Sequence, residues 1–161
     1  YFSCAGGTTE DAVEVWGSSV PYLKSVPSSG EENAPRYQSL VSISIQETKE
    51  IFEREFEDLT LPDDPETWFE NMERTQGGGV RALHIGGVSI PGTKLRSLFR
   101  LNSTLFSVNL SDDTFQFEVK GFGHRVGMSQ YGANAMAKEG KTFREILLHY
   151  YPGVSINEKA P

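Results

Sequence analysis

Several things are scarce in this chain of 161 residues, and each scarcity removes a class of function. A single cysteine, Cys4, excludes an internal disulfide framework and leaves the redox compartment open. Only 15 lysines and arginines stand against 22 aspartates and glutamates, a net charge of −7, so the positive field that nucleic-acid phosphates need is missing. No run of about 18 apolar residues occurs, which leaves no pattern for a membrane-spanning helix or a secretory leader. Histidine is limited to His84, His124 and His149. A tetrahedral metal site needs three or four protein ligands, and beside Cys4 and His124 the candidate positions hold Thr8 and Thr9, so no metal is expected. Internal repeats and low-complexity tracts are absent as well.

What the chain does have is 37% hydrophobic residues, enough for one globular domain with a core. Its most informative stretch is Gly121-Phe-Gly-His-Arg-Val-Gly-Met-Ser-Gln-Tyr-Gly-Ala133, which crowds Gly121, Gly123, Gly127 and Gly132 around His124, Ser129, Gln130 and Tyr131. A packed core does not need that combination; a turn that presents polar groups at short range does. A nucleotide-binding glycine loop fits poorly, because the third glycine falls at Gly127 and no lysine follows to hold a phosphate.

The rest of the chain sets this run at a strand end. Thr8 followed by Asp11 resembles a capping box ahead of a short helix through Ala12, Val13, Val15 and Trp16, stopped at Gly17. Val41, Ile43 and Ile45 alternate with serines as a strand does, and Ser44-x-x-Glu47 then opens a helix through Ile51, Phe52 and Phe56. Asp64-Pro65 begins a second helix carrying Trp68, Phe69 and Met72, so residues 47–76 read as an inserted helical cap. Val80 to Ile85 and Val88 to Ile90, joined by Gly86-Gly87, predict a hairpin, followed by a helix from Thr93 to Phe99. Strands from Thr104 to Asn109 and from Phe115 to Val119 flank Asp112-Asp113, and the second feeds the glycine-rich run. Helices follow from Ser129 to Lys138 and from Thr142 onward. The expected fold is α+β, with mixed or antiparallel strands, short packed helices and the inserted cap. The opening Tyr1-Phe2-Ser3 reads as the middle of a strand, so an N-terminal portion is expected ahead of it.

The glycine run resembles the GHGVGMSQYGA stretch of the SpoIID/LytB family of sporulation and cell-wall proteins, and nearest its sporulation branch. The likeness continues through Ala133 to Gly140 and Ile146 to Gly153, and returns in Phe2 to Ala12, in Trp16-Gly17 and in Val20 to Val26. Arg125 stands where the family pattern has glycine. The resemblance implies a single domain over 1–161, short of its N-terminal part, from a lytic transglycosylase. Such an enzyme cleaves peptidoglycan glycan strands stripped of their stem peptides during engulfment. One protonated carboxylic acid gives its proton to the glycosidic oxygen while the sugar's own hydroxyl attacks the anomeric carbon. In relatives that acid is a glutamate in an EALKAQA-like helix upstream of the Phe-Ser-Gly-Gly motif, and no such segment occurs here, so the catalytic glutamate is expected upstream of Tyr1.

The same resemblance implies no cofactor, a cell-wall amidase as partner, and a protein tethered outside the cytoplasmic membrane through a segment not present in this chain, which alone is expected to be soluble. The alternative is a non-catalytic glycan-binding module of the amidase-enhancer type, and a third reading has the helices of 47–76 dock a partner through an exposed face with Trp68 or Phe69. Substrate contacts are expected from Ser3, Gly6, Gly7, Thr9 and Glu10 in one motif and from His124, Ser129, Gln130 and Tyr131 in the other, the two lining one groove. Within that set the residues suggest distinct roles. Ser129 reads as a helix N-cap in preference to a nucleophile, since no neighbouring acid supports activation. Tyr131 could stack on a pyranose or pack in the core. Glu10 and Asp11 read as first-turn carboxylates that stabilise their helix, and His84 and His149 read as structural.

Overall fold

The computed structural model describes residues 1–157, and the chain divides into two compact units. One is built from both ends, Tyr1–Tyr37 with Gly121–Pro161, and the other from the middle, Gln38–Lys120.

The end-built unit contains strand β1 (Gly7–Thr8), helix α1 (Ala12–Trp16) and strand β2 (Pro27–Ser28), with β1 and β2 antiparallel. Thr8 does not cap α1: it pairs with Pro27 in β1, and the N-cap is Asp11, whose carboxylate accepts the Val13 amide. The later part of the unit supplies α4 (Gln130–Lys138) and α5 (Phe143–Tyr150). Ser129 caps α4 by accepting the Gly132 amide, and Thr142 with Glu145 forms the expected reciprocal capping box on α5.

The middle unit holds two three-stranded antiparallel sheets. In the first, β3 (Gln38–Ser44), β8 (Thr114–Lys120) and β7 (Leu105–Ser111) lie in the order β3-β8-β7; in the second, β4 (Met72–Arg74), β5 (Val80–Ile85) and β6 (Val88–Pro91) lie in sequence order. Helices α2 (Ile45–Glu55) and α3 (Gly92–Leu98) accompany them. This is an α+β architecture. The stretch 47–76 differs from the expected pair of cap helices, since it contains most of α2, a five-residue 3-10 turn (Pro65–Phe69) and β4. Trp68 and Phe69 point into the core beside Phe52, Phe99, Phe115 and Phe117, and Trp68 is only 3% exposed. The reading in which these two rings form an outward docking face is therefore corrected: burial of the rings against the sheet outweighs any cap role.

Candidate functional site

Every residue singled out for the site lies in the end-built unit, and the two motifs are stitched together along their backbones. The Cys4 amide donates to the Phe122 carbonyl and the Phe122 amide to Cys4 at 2.8 Å. Gln130 and Tyr131 donate their amides to the Phe2 and Ser3 carbonyls at 2.9 and 3.1 Å, and the Glu10 amide donates to the Arg125 carbonyl. Pairing this close depends on a missing side chain: a β-carbon at Gly121, where φ is +80°, would lie 2.8 Å from the Ala5 carbonyl oxygen.

Two buried charged centres, the Arg125–Glu10 pair and Glu31, fix the pairing. Arg125 is wholly buried, with φ at +65°. Its Nε donates to the Ala5 carbonyl at 2.7 Å, Nη2 to the Thr8 carbonyl at 2.8 Å and Nη1 to Glu10 Oε1 at 2.9 Å. Burial pulls the guanidinium below its ordinary pKa, and the carboxylates of Glu10 and Glu31 oppose that pull. Glu10, 1% exposed, thus precedes the helix cap and belongs to an extended bridge with Val126, where sequence reasoning placed it in the first turn of α1. Its carboxylate faces a guanidinium instead of a helix dipole.

The second charge, Glu31, was not singled out from sequence, where it is one acidic residue in the loop Ser28-Ser-Gly-Glu-Glu32. It is 1% exposed and gathers four donors. Oε2 accepts the Ala5 and Gly6 amides at 2.8 and 2.9 Å, while Oε1 accepts the hydroxyls of Ser28 and Ser129. Ser28 Oγ also lies 2.6 Å from Tyr150 Oη. A β-carbon at Gly132 would collide with Tyr150 Oη and Ser28 Oγ, so this helical glycine lets α4 seat directly on the network. Burial raises the pKa of both the Cys4 thiol and the Tyr150 phenol; Glu31 adds to each, and the Ser28 bond partly offsets the latter.

The other candidates sort by exposure. Thr9, Glu10 and Ser129 are fully buried and bonded to protein groups, which makes them supports of the loop. Ser3, Gly6, His124 and Tyr131 are partly exposed, and Gly7 and Gln130 are exposed. Tyr131 lines an open cavity of about 350 Å³ with Gly30, Asn33, Asn134 and Lys138. His124 Nδ1 accepts the Val126 amide at 3.1 Å, so the neutral ring carries its proton on Nε2. The imidazole is flanked by Phe2, edge-on at 5.4 Å, and by Trp16, tilted at 5.5 Å. His149 bonds the Pro27 carbonyl, whereas His84 lies exposed beside Glu73. Among the described residues no group of three or more His, Cys, Asp or Glu is arranged to hold a metal ion.

No protein-family model matches the chain. Comparison with curated proteins finds stage II sporulation protein D of Bacillus subtilis, 39% identical over 160 residues, and that of Bacillus amyloliquefaciens, 38% identical over 158 residues; each alignment covers 98% of this chain. The amidase enhancer of Bacillus subtilis is 30% identical over an alignment of 206 residues covering 97% of the chain. Along nearly its whole length the chain is similar to these proteins, in keeping with the SpoIID/LytB resemblance. It spans 44% of the length of either sporulation protein and 29% of the amidase enhancer. At position 125, where the resemblance leads one to expect glycine, the backbone is left-handed, a conformation that favours glycine. Arg125 adopts that conformation at some cost in strain and spends its side chain on three carbonyl and carboxylate partners.

Proposed function

We propose that this chain forms part of a peptidoglycan lytic transglycosylase that cleaves glycan strands stripped of stem peptides during engulfment. The whole protein would be held outside the cytoplasmic membrane and work with a cell-wall amidase. The observation that carries the reading is the stitching of the two family motifs into one unit that leaves His124, Gln130 and Ser3 accessible over a buried polar support. In this reaction an acid outside the motifs protonates the glycosidic oxygen, and the sugar's own hydroxyl closes on the anomeric carbon to leave an anhydro end. Neither buried carboxylate of the unit suits that task, because Glu10 is engaged by Arg125 and Glu31 by four donors. His124 and its neighbours orient the sugar, and the acid comes from sequence beyond this chain.

The test incubates peptide-free glycan strands with the full-length protein and, in parallel, with this chain. Anhydro-ended products from the full-length protein alone are expected. Products from the isolated chain would put the acid among its own carboxylates. The likeness to the amidase enhancer supports a second reading, a non-catalytic glycan-binding module. That reading gains if the full-length protein stimulates an amidase yet produces no anhydro ends.

A further inference from the structure

We propose that Trp16 is a sugar-stacking residue, forming with His124 a shelf for one hexopyranose ring of the glycan strand. The inference rests on the glycan reading above and adds a residue outside the sites assigned so far. Trp16 ends α1, a five-residue helix whose only fully buried side chain is Ala12. The indole is therefore held at its base and 53% exposed, which is unusual for the side chain with the most apolar surface to hide. Packing does not explain its position, because its ring contact is with His124 at 5.5 Å and interplanar 45°. His124 in turn is backed by the buried Phe2 ring and pinned through Nδ1 to the Val126 amide. The result is a rigid imidazole at the edge of a half-open indole.

That combination fits a carbohydrate better than a protein partner. A pyranose has one face of axial C–H groups, which lies on an aromatic ring, and a rim of hydroxyls, which seek donors and acceptors at the ring's edge. Polar groups flank the helix: its N-cap Asp11 pairs with Lys24 at 2.9 Å, and Gly17, Ser18 and Ser19 follow Trp16 exposed. A protein interface would call for a broad, continuous apolar area. On α1 the other exposed apolar side chain is Val13, 43% exposed and one turn before Trp16, and the residues that follow the indole, Gly17, Ser18 and Ser19, are exposed and small or polar.

The chain itself carries the reporter. Its second tryptophan, Trp68, is 3% exposed in the core of the other unit, so a change in indole emission on adding glycan comes from Trp16. We would titrate the 161-residue chain with peptide-free glycan strands, following indole emission, and measure the dissociation constant independently by co-sedimentation of labelled strands. The wild-type emission should shift to the blue on saturation. Trp16→Ala should weaken binding at least tenfold, whereas Trp16→Phe, which keeps a stacking face, should lose less than about threefold. Both variants should melt within a few degrees of wild type, since the side chain is mostly in water. Glycan that binds wild type and Trp16→Ala alike, with emission unchanged, overturns the shelf and leaves the glycan reading standing. No binding of strands to wild type overturns the glycan reading, and the shelf falls with it.

Discussion

Replacing Arg125 by glycine, the residue expected there from the resemblance, should destabilise this chain even though it relieves backbone strain. An L-residue in the left-handed region costs about 1–2 kcal/mol, which glycine recovers. Against that, the change deletes three hydrogen bonds and leaves Glu10, 1% exposed, without the guanidinium 2.9 Å from its Oε1. Removing one partner of a buried ion pair costs about 3–5 kcal/mol, because the remaining charge stays desolvated. The net loss is then about 1–4 kcal/mol, or a fall in melting temperature of about 2–15 °C for a chain of this length. Thermal unfolding followed by circular dichroism at pH 7 reads it directly. The decisive arm is the double variant Arg125→Gly with Glu10→Gln, which removes the stranded charge and should return most of the stability. If Arg125→Gly melts at the wild-type temperature, or if Glu10→Gln adds its full single-variant loss on top, the two residues are not coupled and the reasoning fails.

Other expectations follow from the same network. Gly132→Ala gains helix propensity but drives a methyl into Tyr150 Oη and Ser28 Oγ, so a net loss of about 1–2 kcal/mol is expected by denaturant unfolding; a more stable variant would refute the close seating of α4. Cys4 and Tyr150 both have pKa values raised by folding, from 9.0 and 10.0 respectively. Their contribution is complete below pH 9 and is lost as the pH rises through the folded values, so melting temperature should decline above about pH 9, and Cys4→Ala should make that decline shallower. His124→Ala should shift the melting temperature by only a few degrees while glycan affinity falls about tenfold, equivalent to about 1.4 kcal/mol. A large loss of stability with normal affinity per folded molecule would make His124 structural.

Most regular elements were legible because their signals are local. The alternation of Val41 and Ile43 with serines, the Ser44 and Thr142 caps, the Gly86-Gly87 hairpin and the Ser129 cap all reappear, shifted by a residue or two at their ends. Errors arose where a local signal competed with a distant one. Thr8 and Asp11 fit a capping box, yet Thr8 is claimed by Pro27 and Glu10 by Arg125, partners that no window of neighbouring residues contains. Trp68 and Phe69 lie on a short amphipathic segment that reads equally well as a surface cap or a core plug, and only the aromatic cluster around Phe52 decides it.

The two segments of the candidate site were legible in composition, and their architecture was not, for a reason tied to how their unit is built. The large apolar core cluster lies entirely within Gln38–Lys120, where hydrophobic periodicity announces it. The unit that carries the motifs buries Thr9, Glu10, Ser28, Glu31, Arg125 and Ser129 instead, and charged or hydroxylated residues in loops ordinarily signal solvent. A buried polar network specifies one geometry sharply, since each lost bond leaves a desolvated group behind. Through Arg125, the residue after His124, it anchors a partly exposed imidazole carried on irregular backbone. The glycines then have a definite purpose: they remove the β-carbons that would separate the two motifs. A loop that is rich in glycine and yet rigid follows from that arrangement, and under the proposed function glycan affinity should depend on Glu31 and Arg125, neither of which reaches the surface.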